Sequence, residues 1–157
     1  MISPKLYESS HTYDFFMKLL GFESSIDSFL AGLAFEFGER CRILDVGCGT
    51  GLLGLHFLER FPQSNLLATD LEPNFLKATL ANAEKRKIDL GRIEMAIADV
   101  SSPRQLTSLD NTSITLEDSA FDLICIGAVL GYAQDTEASI RQLVKMLAPE
   151  GYLINLE

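Results

Sequence analysis

The sequence predicts an α/β fold with a doubly wound, mostly parallel sheet and helices on both faces. Three observations favour it. After residue 40, short apolar segments of strand length alternate with segments of helical pattern. The segments 66–68 and 123–126 are continuously apolar, as expected of parallel strands that are covered on both faces. A glycine-rich turn at 47–51 joins the first strand to the first helix of the sheet domain.

The predicted elements follow one another along most of the chain. The strands are expected at 42–46, 65–70, 93–98, 121–127 and 151–156, and the helices at 51–60, 73–86 and 136–147. Right-handed crossovers give these five strands the order 3-2-1-4-5, with the first strand in the centre. The polar segment 101–119 is expected to be a long connection with room for one short helix.

The N-terminal part of the chain has a different pattern. Apolar residues between positions 12 and 37 are spaced as in two amphipathic helices. We therefore assign residues 1–40 to an N-terminal helical cap and residues 41–157 to the sheet domain. The 157 residues are too few for a second large domain.

Composition narrows the classes of function. The net charge of −9 argues against a nucleic-acid partner, because phosphate binding needs a basic surface. The longest apolar stretches have strand length, so no membrane span is expected, and the first residues do not have the pattern of a secretory signal. Three cysteines, Cys41, Cys48 and Cys125, lack metal-ligand spacing. They indicate reduced thiols in a cytoplasmic protein without a metal site.

The turn after the first predicted strand carries the strongest functional signal. It contains Asp45, Gly47, Gly49 and Gly51 at alternate positions. Glycines let the backbone approach a ligand closely and adopt positive φ. Residues 49–54 also match the dinucleotide pattern G-x-G-x-x-G, but the first glycine of that pattern should follow the strand directly. A pyrophosphate here would also lie near the Asp45 carboxylate, and the two anions would repel each other.

This pattern resembles the first motif of class I S-adenosylmethionine-dependent methyltransferases, (D/E)-x-G-x-G-x-G. The resemblance implies that Asp45, Cys48 and the three glycines Gly47, Gly49 and Gly51 bind S-adenosylmethionine. This donor carries a sulfonium and an ammonium group, and both tolerate a nearby carboxylate. In this family, helices that precede the sheet commonly cap the ligand cleft, although the cap here could equally cover one sheet face.

The end of the second predicted strand gives a second signal. Asp70 ends that strand, where an acid can accept hydrogen bonds from both ribose hydroxyls. Its alternative role is to cap the helix that begins near Pro73. The resemblance extends to Leu71, which would pack on the adenine ring, and to Phe75 nearby.

Two later strand ends complete the resemblance. It implies that Asp99 accepts a hydrogen bond from the adenine amino group and that the backbone of Val100 bonds the ring. Asp99 could instead cap the following turn with Ser101 and Ser102. Gly127 ends the fourth predicted strand, where a backbone carbonyl would meet the methionine amino group of the donor.

The predicted fifth strand follows a turn that resembles the family's L-x-P-G-G-x-L pattern, with Glu150 in place of the first glycine. The sequence ends as this strand finishes, so the sixth and seventh strands of the family are expected to be absent. We therefore expect a C-terminally short domain with an apolar edge that favours homodimerisation through the fifth strand.

The function implied is methyl transfer from S-adenosylmethionine to a small-molecule acceptor by in-line displacement, with S-adenosylhomocysteine as product. Such a reaction needs no protein nucleophile, because the enzyme mainly holds the reactants in position. Tyr132 and His11 are the candidates for a group that removes a proton from the acceptor. A non-catalytic S-adenosylmethionine-binding domain or a truncated, inactive fragment is the alternative, and a nucleotide-dependent oxidoreductase is a third hypothesis.

Overall fold

The computed structural model describes residues 21–34 and 40–156, which fall into two units. The first unit contains helix α1, Phe22–Ala31. It begins after Gly21, which adopts a φ of 66° and whose carbonyl accepts hydrogen bonds from the Ser24 and Ser25 hydroxyls. Of the two helices predicted between residues 12 and 37, the described residues contain one. The other part of that segment lies outside the described residues.

The second unit alternates strands and helices. Its strands are β1 (Arg42–Val46), β2 (Asn65–Asp70), β3 (Ile93–Ile97), β4 (Gln105–Ser108), β5 (Ser113–Thr115), β6 (Phe121–Gly127) and β7 (Leu147–Leu156). Its helices are α2 (Leu52–Arg60), α3 (Pro73–Lys85) and α4 (Thr136–Met146), with short 3-10 turns at Leu90–Arg92 and Leu130–Tyr132.

The sheet has seven strands in the order β5-β4-β3-β2-β1-β6-β7. Strand β1 pairs in parallel with β2 and β6, β2 pairs in parallel with β3, and β6 pairs in parallel with β7. Strands β4 and β5 are antiparallel to their neighbours, so the sheet is mixed. The predicted five-stranded sheet of order 3-2-1-4-5 is therefore wrong, and so is the expected absence of a sixth and a seventh strand.

The β4–β5 hairpin replaces the long connection expected at 101–119. Leu106 pairs with Ile114 across it, and Asn111 takes a left-handed conformation with a φ of 67° in its loop. The Arg104 guanidinium donates to the carbonyl of Leu116 at 2.8 Å and pairs with Asp118 at 2.6 Å. These contacts hold two short polar strands that lack the apolar alternation by which strands are recognised.

Strand β7 begins at Leu147, four residues before the predicted start. Its pairing with β6 shifts register between Phe121 and Leu123, and Glu150 adopts a φ of 63° within the irregular part. The sequence around Glu150 predicts a turn, and the chain makes that turn as an irregularity inside one strand.

The core of the second unit lies around β1, β6 and α4. Four of the five residues of β1 are buried, and so are five of the seven in β6. Burial of these apolar side chains positions the carboxyl ends of the parallel strands at one edge of the sheet.

Candidate functional site

The glycine turn between β1 and α2 is fastened to the neighbouring strand β2. The backbone N–H of Cys48 donates to the carbonyl of Thr69 at 2.8 Å, and that of Gly51 donates to the carbonyl of Cys48 at 2.8 Å. Gly47, Gly49 and Gly51 have φ values of 64°, 54° and 85°. A side chain at any of the three positions would be strained by its backbone conformation.

The three glycines differ in what surrounds them. A Cβ atom at Gly47 would lie 2.6 Å from a methyl group of Val129, and one at Gly51 would lie 2.9 Å from side-chain atoms of Leu55 and Thr79. A Cβ atom at Gly49 would meet no heavy atom within 4 Å. Gly49 is thus the member of the turn that faces open space, where a ligand can approach the backbone.

Asp45 lies beneath the turn. This residue is only 2% exposed. Its Oδ2 atom accepts a hydrogen bond from the N–H of Gly54, in the first turn of α2, at 2.9 Å. Burial raises the pKa of this carboxyl to about 7; the Gly54 hydrogen bond opposes that rise, and the charge of Asp70 adds to it. Because its hydrogen bond satisfies a backbone N–H in the first turn of α2, the Asp45 carboxyl group supports the start of this helix.

Gly54 is a residue of the site whose role the sequence analysis missed. A Cβ atom there would lie 2.7 Å from Oδ2 of Asp45 and 2.9 Å from a methyl group of Leu66. The glycine completes the G-x-G-x-x-G pattern at 49–54, but its function here is to let a buried carboxylate reach the helix.

Asp70 connects the glycine turn to the start of α3. Its Oδ2 atom accepts a hydrogen bond from Gly49 N–H at 2.9 Å, and its Oδ1 atom accepts one from Glu72 N–H at 3.0 Å. Burial raises the pKa of this carboxyl, and backbone hydrogen bonds from Glu72, Gly49 and Leu71 act in the opposite direction. A carboxylate has about four lone-pair sites, so this group can still accept a bond from a ligand beside its three backbone donors.

Helix α3 supplies two further contacts that the sequence analysis missed. The Thr79 hydroxyl donates to the carbonyl of Gly49 at 2.9 Å, and the Asn82 amide donates to the carbonyl of Thr50 at 3.1 Å. Both side chains lie on one face of the helix at i, i+3 spacing, which was the available signal. They fix the outward orientation of the glycine turn.

The remaining residues proposed for the adenosine end follow the carboxyl ends of β2 and β3. Leu71 is 58% exposed and Phe75 is half-buried. Asp99 is exposed, and its Oδ1 atom accepts the N–H of Ser101 at 2.8 Å, as the alternative turn-capping role predicts. Val100 is buried in the core, so only its backbone faces the turn.

The end of β6 contributes a strained turn. Gly127 packs against Leu53, and Ala128 has a φ of 52°, a conformation that costs an L-residue about 1–2 kcal/mol. Tyr132 follows on a 3-10 turn and is 80% exposed. The other candidate for proton removal, His11, lies outside the described residues.

The described ranges show neither a metal site nor a membrane-spanning helix. Within residues 21–34 and 40–156, no three His, Cys, Asp or Glu side chains are grouped so that they could hold a metal ion. No helix in that part of the chain has the length and apolar character needed to cross a membrane. Cys41, Cys48 and Cys125 are buried free thiols.

Most of the chain is similar in sequence to a known protein family. The family described as a methyltransferase domain matches residues 44–153. Demethylmenaquinone methyltransferase of Thermus thermophilus is 29% identical over 96% of this chain and 62% of its own length. Malonyl-[acyl-carrier protein] O-methyltransferase of Priestia megaterium is 26% identical over 75% of this chain and 37% of its own length. The chain thus spans less than two thirds of these relatives.

A solved structure shows the same fold. A putative S-adenosylmethionine-dependent methyltransferase of Methanococcus maripaludis aligns with 99% of this chain and 66% of its own, with a TM-score of 0.69 and 17% identity. The family match extends over 110 of the 157 residues and includes the glycine turn and the ends of β2, β3 and β6. The chain therefore belongs to the methyltransferase domain family, the class I methyltransferases whose cofactor is S-adenosylmethionine.

Proposed function

We propose that the domain binds S-adenosylmethionine at the carboxyl edge of the sheet and transfers its methyl group to a small-molecule acceptor. The observation that carries the proposal is the bond between Asp70 and the N–H of Gly49, at 2.9 Å. It joins a carboxylate suited to a ribose to the one glycine of the turn that faces open space.

The residues at this edge fit the donor in three places. Asp70 would accept the ribose hydroxyls, with Leu71 and Phe75 beside the adenine ring. Asp99 would accept the adenine amino group through its Oδ2 atom, since Oδ1 holds Ser101. The turn of Gly47, Gly49 and Gly51, with Cys48, and the carbonyl of Gly127 would line the methionine end.

Asp45 takes a different part in this proposal from the one expected. Its carboxyl group is buried and bonded to the N–H of Gly54, so it supports the turn and does not contact the donor. S-adenosylmethionine, when bound, supplies an electrophilic methyl group on a positively charged sulfur. The chain's contribution is to hold the acceptor in line with it, and such positioning can supply several kcal/mol of the barrier.

Small-molecule acceptors fit the charge of the chain better than nucleic acids do. The net charge of −9 disfavours a polyanion, and Tyr132 offers an exposed aromatic ring and a hydroxyl on the 3-10 turn that follows β6. The two relatives above are named for demethylmenaquinone and for the malonyl group of an acyl-carrier protein, and an acceptor of similar size is proposed for this chain. Tyr132 would contact the acceptor, and a role for His11 in removing its proton remains a prediction.

The experiment that tests this proposal compares Asp70 with Glu72, an acid two residues further along the chain. Asp70→Ala removes the carboxylate that holds Gly49 N–H, whereas Glu72→Ala removes an exposed carboxylate but keeps the backbone N–H that Asp70 uses. Calorimetric titration with S-adenosylhomocysteine should show weaker binding to Asp70→Ala by about 1–3 kcal/mol, because bonds to a charged acceptor are lost. Glu72→Ala should bind as the parent does, and equal affinity in all three proteins contradicts the ribose assignment.

Turnover and binding are separable outcomes. Binding of S-adenosylhomocysteine together with methylation of a quinone or carboxylate acceptor supports the enzyme. Binding without turnover over a panel of such acceptors favours the alternative, a non-catalytic donor-binding domain.

Two further parts of the proposal concern assembly and location. Strand β7 ends the sheet order, and its residues Leu153 and Leu156 are half-buried. A homodimer through this edge would cover them, and light scattering over a range of concentrations tests it, with a monomer throughout as the contrary result. A cytoplasmic location is proposed from the three free thiols.

A further inference from the structure

A serine hydroxyl joins the turn after β3 to the segment after β6. Ser101 Oγ accepts a hydrogen bond from the backbone N–H of Gln134 at 3.0 Å. The backbone N–H of the same serine donates to Asp99 Oδ1 at 2.8 Å. Ser101 therefore connects the Asp99 carboxylate with a backbone group of the segment that follows β6.

The same two segments also share apolar contacts. Val100 and Leu130 belong to one buried cluster, and Val129 and Ala133 pack against it. Val129 in turn lies over the glycine turn, since its methyl group is 2.6 Å from a Cβ atom built at Gly47. Residues 129–134, which we call the post-β6 segment, thus contact both the β3 turn and the glycine turn.

We propose that Ser101 is a positioning residue that couples donor binding to the placement of Tyr132. This inference rests on the proposed function, in which the donor engages Asp99. A ligand bonded to Oδ2 of Asp99 restrains the carboxylate, which holds the N–H of Ser101. The Ser101 hydroxyl then holds the N–H of Gln134 and with it the post-β6 segment that presents Tyr132 to the acceptor.

The sequence offers a clean reporter for this coupling. The chain contains no tryptophan, and Tyr132 is 80% exposed, so Tyr132→Trp introduces a single indole with room for its larger ring. Quenching of its fluorescence by acrylamide is measured with and without saturating S-adenosylhomocysteine. We expect the ligand to lower the quenching constant, because the post-β6 segment becomes more restrained.

Three variants in the Tyr132→Trp background isolate the hydroxyl. Ser101→Ala should abolish the ligand-dependent change in quenching, and Ser101→Thr should retain it, because threonine keeps an acceptor oxygen. Ser102→Ala is the matched control, since the N–H of Ser102 donates to Asp99 O and its C=O accepts from Gln105 through backbone atoms alone. It should respond as the parent does.

Calorimetry with S-adenosylhomocysteine on the same proteins separates coupling from binding. Ser101→Ala should bind within about threefold of the parent, a difference below 1 kcal/mol, because its backbone N–H still bonds Asp99. A quenching response that survives in Ser101→Ala, or that is absent in the parent despite binding, overturns the inference alone. Absence of binding by the parent overturns the proposed function and the inference together.

Discussion

The buried carboxyl of Asp45 gives the protein a pH dependence whose sign is opposite to that of most acids. Burial raises its pKa from 3.8 to about 7 in the folded protein. Between these values the folded state keeps a proton that the unfolded state has lost, so the free energy of unfolding falls as pH rises. A pKa difference of about 3 corresponds to about 4 kcal/mol between pH 4 and pH 7.

The variant Asp45→Asn removes this titration and keeps an oxygen that can accept the N–H of Gly54. Its stability should therefore rise relative to that of the parent as pH increases through this range, by up to about 4 kcal/mol. Urea unfolding followed by circular dichroism at several pH values between about 4.5 and 8 measures the difference. Comparison with the parent cancels the titration of carboxylates that do not interact with Asp45; Asp70 does interact with it, and its contribution is part of the measured difference.

Asp122 provides a control of opposite sign. Partial burial opposes ionisation there, but the hydrogen bonds from Arg42 outweigh it and lower the pKa of the carboxyl. Stability from this group is present above its unfolded pKa and is lost in acid. Asp122→Asn should therefore differ from the parent by a constant amount between about pH 5 and pH 8. A flat difference for Asp45→Asn as well would show that Asp45 ionises in its ordinary range and refute the reasoning.

Four further substitutions test local features. Gly51→Ala should lower the free energy of unfolding by about 2–3 kcal/mol, because the new methyl group clashes with Leu55. Gly49→Ala should lower it by about 1 kcal/mol but should strongly weaken the binding of S-adenosylhomocysteine. Urea unfolding measures the stability of both variants, and calorimetry measures their affinity. Ala128→Gly should stabilise by about 0.5–1 kcal/mol because of its φ of 52°. Arg92→Ala should destabilise by about 3 kcal/mol, because its guanidinium donates to three backbone carbonyls at the end of α2 and the start of β2.

Control variants and pairwise comparisons test the physical reason given for each of these substitutions. Ala133 has a φ of −66°, so Ala133→Gly should destabilise, and stabilisation by both glycine substitutions contradicts the strain argument. Arg92→Lys keeps the charge but reaches fewer carbonyls, so it should recover less than half of the stability lost in Arg92→Ala. Equal stability losses for Gly49→Ala and Gly51→Ala contradict the packing difference between them.

Strands with buried apolar runs could be located from the sequence, and short polar ones could not. The predicted bounds of the strands at 42–46, 65–70 and 121–127 agree with β1, β2 and β6. Strands β4 and β5 have four and three residues, many of them polar, and β5 is exposed throughout. Their pairing depends on Arg104 and the loop at Asn111, which apolar patterning does not record.

In the candidate site, the sequence predicts where the functional residues lie along the chain but not how their side chains are oriented. A motif places an acid at the end of β1, but it does not tell whether the Asp45 side chain points to the cleft or to the helix below it. That choice depends on Gly54, whose missing side chain makes room for the carboxylate. Thr79 and Asn82 act from a helix far along the sequence, so no local pattern around the glycine turn could reveal them.

We propose above all that the carboxyl edge of this sheet forms a site for S-adenosylmethionine. Calorimetric titration of the purified chain with S-adenosylhomocysteine tests it most directly, with NADH as the comparison ligand. We predict saturable binding of S-adenosylhomocysteine and no binding of NADH, which carries a pyrophosphate that the Asp70 carboxylate beside the glycine turn would repel. Binding of NADH alone, or of neither ligand, would contradict the claim.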